Sequence, residues 1–125
     1  MKTVVNTKMA PGAIGPYSQA IKAGGFLFIS GQIPIEPATN NIVSGGIEAQ
    51  TNQVLENLTA ILADQGLTMD NVVKTTVFLT DLDDFPVVNA IYGNYFVGET
   101  PSRATIQVSR LPKEVMVEID AIAVL

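Results

Sequence analysis

The chain contains no histidine and no cysteine among its 125 residues. Without cysteine there is no disulfide, no thiolate nucleophile and no thiolate metal ligand. The lack of histidine also removes the commonest general base, the usual hydroxyl-activating triad and the usual zinc ligand. Any catalysis must therefore run on carboxylates, tyrosine, lysine or the backbone, and no metal site is expected. Charge is scarce too. It falls on 15% of residues, with only two arginines, Arg103 and Arg110, and twelve acids against seven bases give a net charge of −5. Such a chain has no basic stripe for a phosphate backbone, so no nucleic-acid partner is expected. No window approaches the length of a membrane span, and the opening MKTVVNTKMAPGAIG lacks the apolar core of a signal peptide. Both features point to the cytoplasm and away from a membrane.

What is present is apolar. Hydrophobic residues make up 47% of the chain, and a chain of this length encloses one core, so residues 1–125 read as a single domain. The low charge leaves apolar surface in want of a partner, which favours a homo-oligomer.

Local signals divide the chain. Gly24-Gly25 separates the strands Gln19–Ala23 and Phe26–Ser30, and paired glycines suit the positive φ of a tight hairpin turn. EPATNNIVSGG follows as a surface loop. From Ile47 to Gln65, apolar residues recur at steps of three and four, and Gly66 stands as a stop signal. VVKTTVFL, Val72 to Leu79, is β-branched and reads as a strand. TDLDDFP supplies capping oxygens before a second helix over Phe85–Val97. Strands at Arg103–Val108 and Val115–Val124 close the chain. The order predicts an α+β fold, a mixed sheet with two helices on one face, and leaves the other sheet face for a second copy.

Strand parity sorts the polar groups. Arg103, Thr105 and Gln107 share one face of their strand; Glu118 and Asp120 share the mixed face of the last. Should these two strands pair as an antiparallel hairpin, one face would carry an arginine and two carboxylates. Two readings remain open at this level. A cross-strand ion pair would be structural and modest, roughly 0.2–1 kcal/mol. Alternatively, the arginine holds a carboxylate ligand through its planar fork, and a buried glutamate with a raised pKa moves protons.

Several stretches carry a family resemblance: APGAIGPYSQAI, FLFISGQIPI, QTNQVLENLTAIL, VVKTTVFLTDLDDFPVVNAIYGNYF and, most specifically, PSRATIQVSRLPKEVMVEIDAIA. Along nearly its whole length the chain resembles the Rid (YjgF-type) family of reactive intermediate deaminases. The resemblance implies a chorismate-mutase-like fold, a homotrimer with a central barrel-like core, and sites in clefts between subunits. It also implies cofactor-free hydrolysis of enamine and imine acids, such as 2-aminoacrylate and 2-aminocrotonate, to 2-keto acids and ammonia. Carried over to this chain, it makes Arg103 the clamp for the substrate carboxylate and Glu118 the group that activates water. Tyr17, Gly31 and Asn89 would line the substrate site. Thr105 stands where many relatives have cysteine; its role would run mainly through its backbone, with no thiol chemistry. The same arginine would equally serve a non-catalytic trimer that binds or senses small carboxylates. Chorismate mutase, suggested by fold alone, would need several cations around one cleft, and this chain has Arg103, Arg110 and scattered lysines.

Overall fold

The computed structural model describes all residues, 1–125. Its centre is a six-stranded sheet of β1 (Thr3–Val5), β2 (Ala20–Ala23), β3 (Phe26–Gln32), β6 (Val72–Leu79), β7 (Ser102–Gln107) and β8 (Val117–Val124), ordered β1-β2-β3-β8-β6-β7. A second, two-stranded sheet pairs β4 (Ile35–Glu36) with β5 (Asn41–Ile42). All neighbours are antiparallel except β6 and β7. The helices α1 (Ile47–Asp64) and α2 (Phe85–Tyr95) pack together over one sheet face, giving the expected α+β layering.

The glycine signals act as the sequence implies. Gly24 and Gly25 take φ of 60° and 83°, the turn that matches strand twist. At the end of α1, Gly66 takes φ of 72°, with its N–H donating to the Ala63 carbonyl and that of Leu67 to Leu62. This two-bond closure satisfies carbonyls that the helix leaves open. Helix α2 stops at Tyr95, two residues before the expected Val97. Asp81 accepts from the Asp83 N–H and so caps the short 3-10 turn Leu82–Asp84 that leads into α2. The expected loop after β3 contains the small β4–β5 pair, and the N-terminal segment supplies an edge strand; two- and three-residue strands carry too little alternation to be seen in sequence.

The pairing of the last two strands, open at the level of sequence, is decided by the sheet order. The last two strands do not form a hairpin, because β6 lies between them, parallel to β7 and antiparallel to β8. Register then fixes the faces. Arg103 lies beside Thr75 and Thr105 beside Val77, and Thr75 and Val77 are buried under the helices. Glu118 lies beside Phe78, between Val117 and Ile119, which are both fully buried. Arg103 therefore faces the helices, whereas Glu118 and Asp120 face the other side. The shared charged face inferred from parity does not exist within one chain.

The uncovered face is strongly apolar. Val4, Ile21, Phe28 and Ile122 fall in one row across the sheet, Phe26 and Val124 in a second, Phe78 and Ile106 in a third. Phe28 and Ile106 are 43% and 44% exposed, so these rows form a contiguous exposed apolar patch of the kind that marks interaction surfaces.

Candidate functional site

Glu118 is held in place by a glycine. Strand β3 bulges between Ile29 and Gln32 where it meets β8, and a Cβ on Gly31 would stand 2.1 Å from Glu118 Oε2. The missing side chain is the space that the carboxylate occupies. No hydrogen bond or ion pair engages that carboxylate; the chain's one ion pair joins Arg110 to Glu114. Burial, and secondarily the charge of Asp120, holds the Glu118 pKa above its ordinary value. Asp120 itself accepts from the Thr76 N–H at 3.1 Å.

Tyr17, Gly31 and Glu118 line one cavity of about 540 Å³, together with Gln32, Ile35 and Lys113, a size suited to a small molecule. Buried amides build its walls. Gln19 accepts from the Thr7 N–H at 2.7 Å and donates to the carbonyls of Thr7 and Pro11 at 2.9 and 2.8 Å. These bonds tie down the segment that ends in Tyr17. Ser30 Oγ donates to the Ser18 carbonyl at 2.6 Å, closing that segment onto the bulge. On the other side, Asn57 of α1 donates to the carbonyls of Ile33 and Ile35 at 3.2 and 3.0 Å. Tyr17 is half exposed, and its hydroxyl accepts from the Ile14 N–H at 3.4 Å.

Arg103, Asn89 and Thr105 stand elsewhere, at the β7 edge against α2. Arg103 NH1 donates to Asn89 Oδ1 at 2.9 Å, and its guanidinium carbon lies 4.8 Å from the Tyr92 ring centroid and 5.2 Å from that of Phe85. Of the five donors on the fork, the Nε and NH2 edge makes no bond within the chain, which leaves it open to a carboxylate. Asn89 is thus a partner of the arginine. Thr105 Oγ1 is buried without a hydrogen-bond partner.

Of the six predicted site residues, three meet around one cavity and three around one arginine, on opposite faces of the sheet. Sequence reading missed Phe85, Tyr92, Gln19 and Lys113. The helical spacing of Phe85, Asn89 and Tyr92, at steps of four and three, already placed them on one face of α2. No group of three or more acidic side chains converges in a way that could hold a metal ion, and no helix is long and apolar enough to cross a membrane.

Known proteins match this chain over its full extent. The family profile described as Endoribonuclease L-PSP matches residues 7–125. A RutC family protein of Pyrococcus horikoshii is 56% identical over 123 residues, covering 98% of both chains. A protein of Mus musculus named 2-iminobutanoate/2-iminopropanoate deaminase is 48% identical over 124 residues, covering 99% of this chain and 92% of its own. A crystal structure of a conserved Rid family protein from Yersinia pestis superposes with a TM-score of 0.97 at 52% identity, covering 100% of both chains.

Proposed function

The chain belongs to the Rid family, also described as endoribonuclease L-PSP, and from that premise we propose that it is a 2-iminobutanoate/2-iminopropanoate deaminase. It hydrolyses enamine and imine acids such as 2-aminoacrylate and 2-aminocrotonate in the cytoplasm, and its whole length acts as one domain. The observation that carries this reading is the division of the site into two complementary halves. A guanidinium with an unoccupied donor edge stands on one face of the sheet, and a carboxylate with a raised pKa and no partner stands on the other. Neither half accounts for a reaction alone.

A second copy supplies the missing half. In the proposed homotrimer the apolar sheet faces turn inward around a barrel-like core, and the β7 edge of one subunit meets the Glu118 cavity of the next. Burial of Phe26, Phe28, Ile106 and Val124 drives assembly at about 25 cal/mol per Å² of apolar surface.

The chemistry asks for little. The enamine tautomerises to the imine, water adds to its carbon, and the carbinolamine expels ammonia to leave the 2-keto acid. Arg103 holds the substrate carboxylate, a charge-assisted contact worth roughly 1.5–3 kcal/mol. Glu118 takes the proton from the attacking water and returns it to the leaving nitrogen. Burial within its own chain raises its pKa and the guanidinium of the neighbouring subunit opposes that rise, a balance that leaves a carboxylate able to take a proton and pass it on. Gly31 gives that carboxylate its place, Tyr17 lines the cleft, Asn89 steadies Arg103, and Thr105 contributes its backbone beside the clamp. A purely carboxylate-binding trimer would need Arg103 but would have no use for an unpaired, desolvated Glu118. The acidic balance and absence of histidine weigh against RNA as substrate.

A coupled assay tests the proposal. A pyridoxal-phosphate dehydratase releases 2-aminoacrylate and pyruvate formation is followed. The wild-type chain should accelerate it and Arg103→Ala should not; equal acceleration by both would defeat the assignment.

A further inference from the structure

Arg103 is exposed at an edge, yet its guanidinium is confined. Phe85, Asn89 and Tyr92 project from one face of α2, the two rings on the guanidinium carbon and Asn89 on NH1. Tyr92 is itself fixed from beneath: its hydroxyl lies 2.7 Å from Thr75 Oγ1, which is fully buried, and its ring stacks on Phe96 at 4.4 Å between centroids. Thr75 is in turn the register neighbour of Arg103 on the adjacent strand. A closed circuit thus runs from β6 through Tyr92 to the guanidinium and back along the β6–β7 ladder. Arginine is a long chain with many rotamers, and a loose one must be ordered each time a ligand binds; ordering it beforehand removes that cost from binding.

We propose that Tyr92, pinned by Thr75, is a positioning residue that fixes the plane of the Arg103 guanidinium and thereby sets affinity for the substrate carboxylate, with Phe85 as its second wall. This rests on the reading of Arg103 as the carboxylate clamp. Tyr92 touches no substrate; its effect reaches binding through the arginine and leaves the water-activating half of the site untouched.

The chain's having only two arginines makes the test direct, because a ¹⁵N-arginine-labelled sample gives two Nε–Hε signals and Arg103→Lys identifies one of them. In the wild type the Arg103 Nε should be as ordered as rigid backbone, with an order parameter of about 0.85, falling below about 0.6 in Tyr92→Leu and in Phe85→Leu. Tyr92→Phe, which keeps the ring but loses the bond to Thr75, should fall between the wild type and Tyr92→Leu. Pyruvate binding, measured by calorimetry on the assembled protein, should weaken about 2- to 30-fold in the two leucine variants, the range of a cation–π contact. Turnover at saturating substrate should stay near the wild-type value. Unchanged Nε order and pyruvate affinity in both leucine variants would overturn the inference. Should Tyr92→Leu fail to fold, Phe85→Leu, at a half-buried site, carries the same test. A wild-type Arg103 signal that pyruvate does not shift would instead remove the clamp reading, an outcome distinct from a failure of the cradle.

Discussion

Arg103 and Glu118 lie on opposite faces of the same sheet, the first turned to the helices beside Thr75, the second to the open face beside Phe78. With β6 between their strands, no side-chain rotation brings them together within one chain. A reaction that needs both groups must draw them from different copies. This relationship ties the proposed chemistry to the proposed assembly, so each can be tested through the other.

Gly31→Ala tests the placement of the proposed general base. The added methyl would stand 2.1 Å from Glu118 Oε2, far inside the contact distance of non-bonded carbon and oxygen, so the carboxylate must swing away. Misplacing a catalytic group by about 1 Å costs on the order of 100-fold in rate. Turnover should fall by that order while pyruvate binding, governed by Arg103, changes little; wild-type turnover would show that Glu118 need not occupy this position.

Glu118 also links activity to stability and pH. Its folded-state pKa is raised, chiefly by burial and then by Asp120, above the ordinary 4.5. The folded state therefore binds this proton more tightly than the unfolded chain. The stability associated with protonated Glu118 is complete below the ordinary value and is lost as pH rises through the raised one. In the monomeric Phe28→Glu background, where no neighbouring Arg103 offsets the burial, Glu118→Gln should accordingly melt higher than Phe28→Glu alone at neutral pH and match it near pH 4 within about 1 °C; in the assembled protein Glu118→Gln should lose hydrolysis. Turnover in the wild type should fall as acidification protonates Glu118. Thermal melts across this range check the sign, and a Glu118→Gln that is destabilised at neutral pH in that background would contradict it.

Phe28→Glu tests the role of the open face. Each Phe28 withdrawn from water stabilises the assembly by roughly 1.5–3 kcal/mol, and a buried carboxylate in its place adds a penalty of several kcal/mol per charge. Analytical ultracentrifugation should show monomers and the coupled assay no acceleration, even though Arg103 and Glu118 are intact. An active monomer would end the shared-site account.

Much of the fold was legible because its signals are local. Gly24-Gly25 and Gly66 mark turns that need positive φ, and the apolar spacing of Val54, Leu55, Leu58, Ile61 and Leu62 marks a buried helix face. Parity correctly separated Arg103 and Thr105 from Ala104, and Glu118 from Val117. It could not relate one strand to another, since that depends on β6 entering between β7 and β8, a long-range pairing with no local trace. The site residues came from the family resemblance, whereas their grouping into two halves came from register. Phe85 and Tyr92 escaped notice because aromatic residues at helical spacing look like core in sequence, and only contact with Arg103 distinguishes them.

The most direct measurement of the central claim is to co-express Arg103→Ala and Glu118→Gln chains, each inactive alone, and assay the mixed assembly. In a trimer whose every site takes Arg103 from one subunit and Glu118 from its neighbour, random equal mixing rebuilds about a quarter of the sites intact. Hydrolysis of 2-aminoacrylate should therefore return to about a quarter of the wild-type level. Mixed trimers that stay as inactive as their parents would contradict a site shared between subunits.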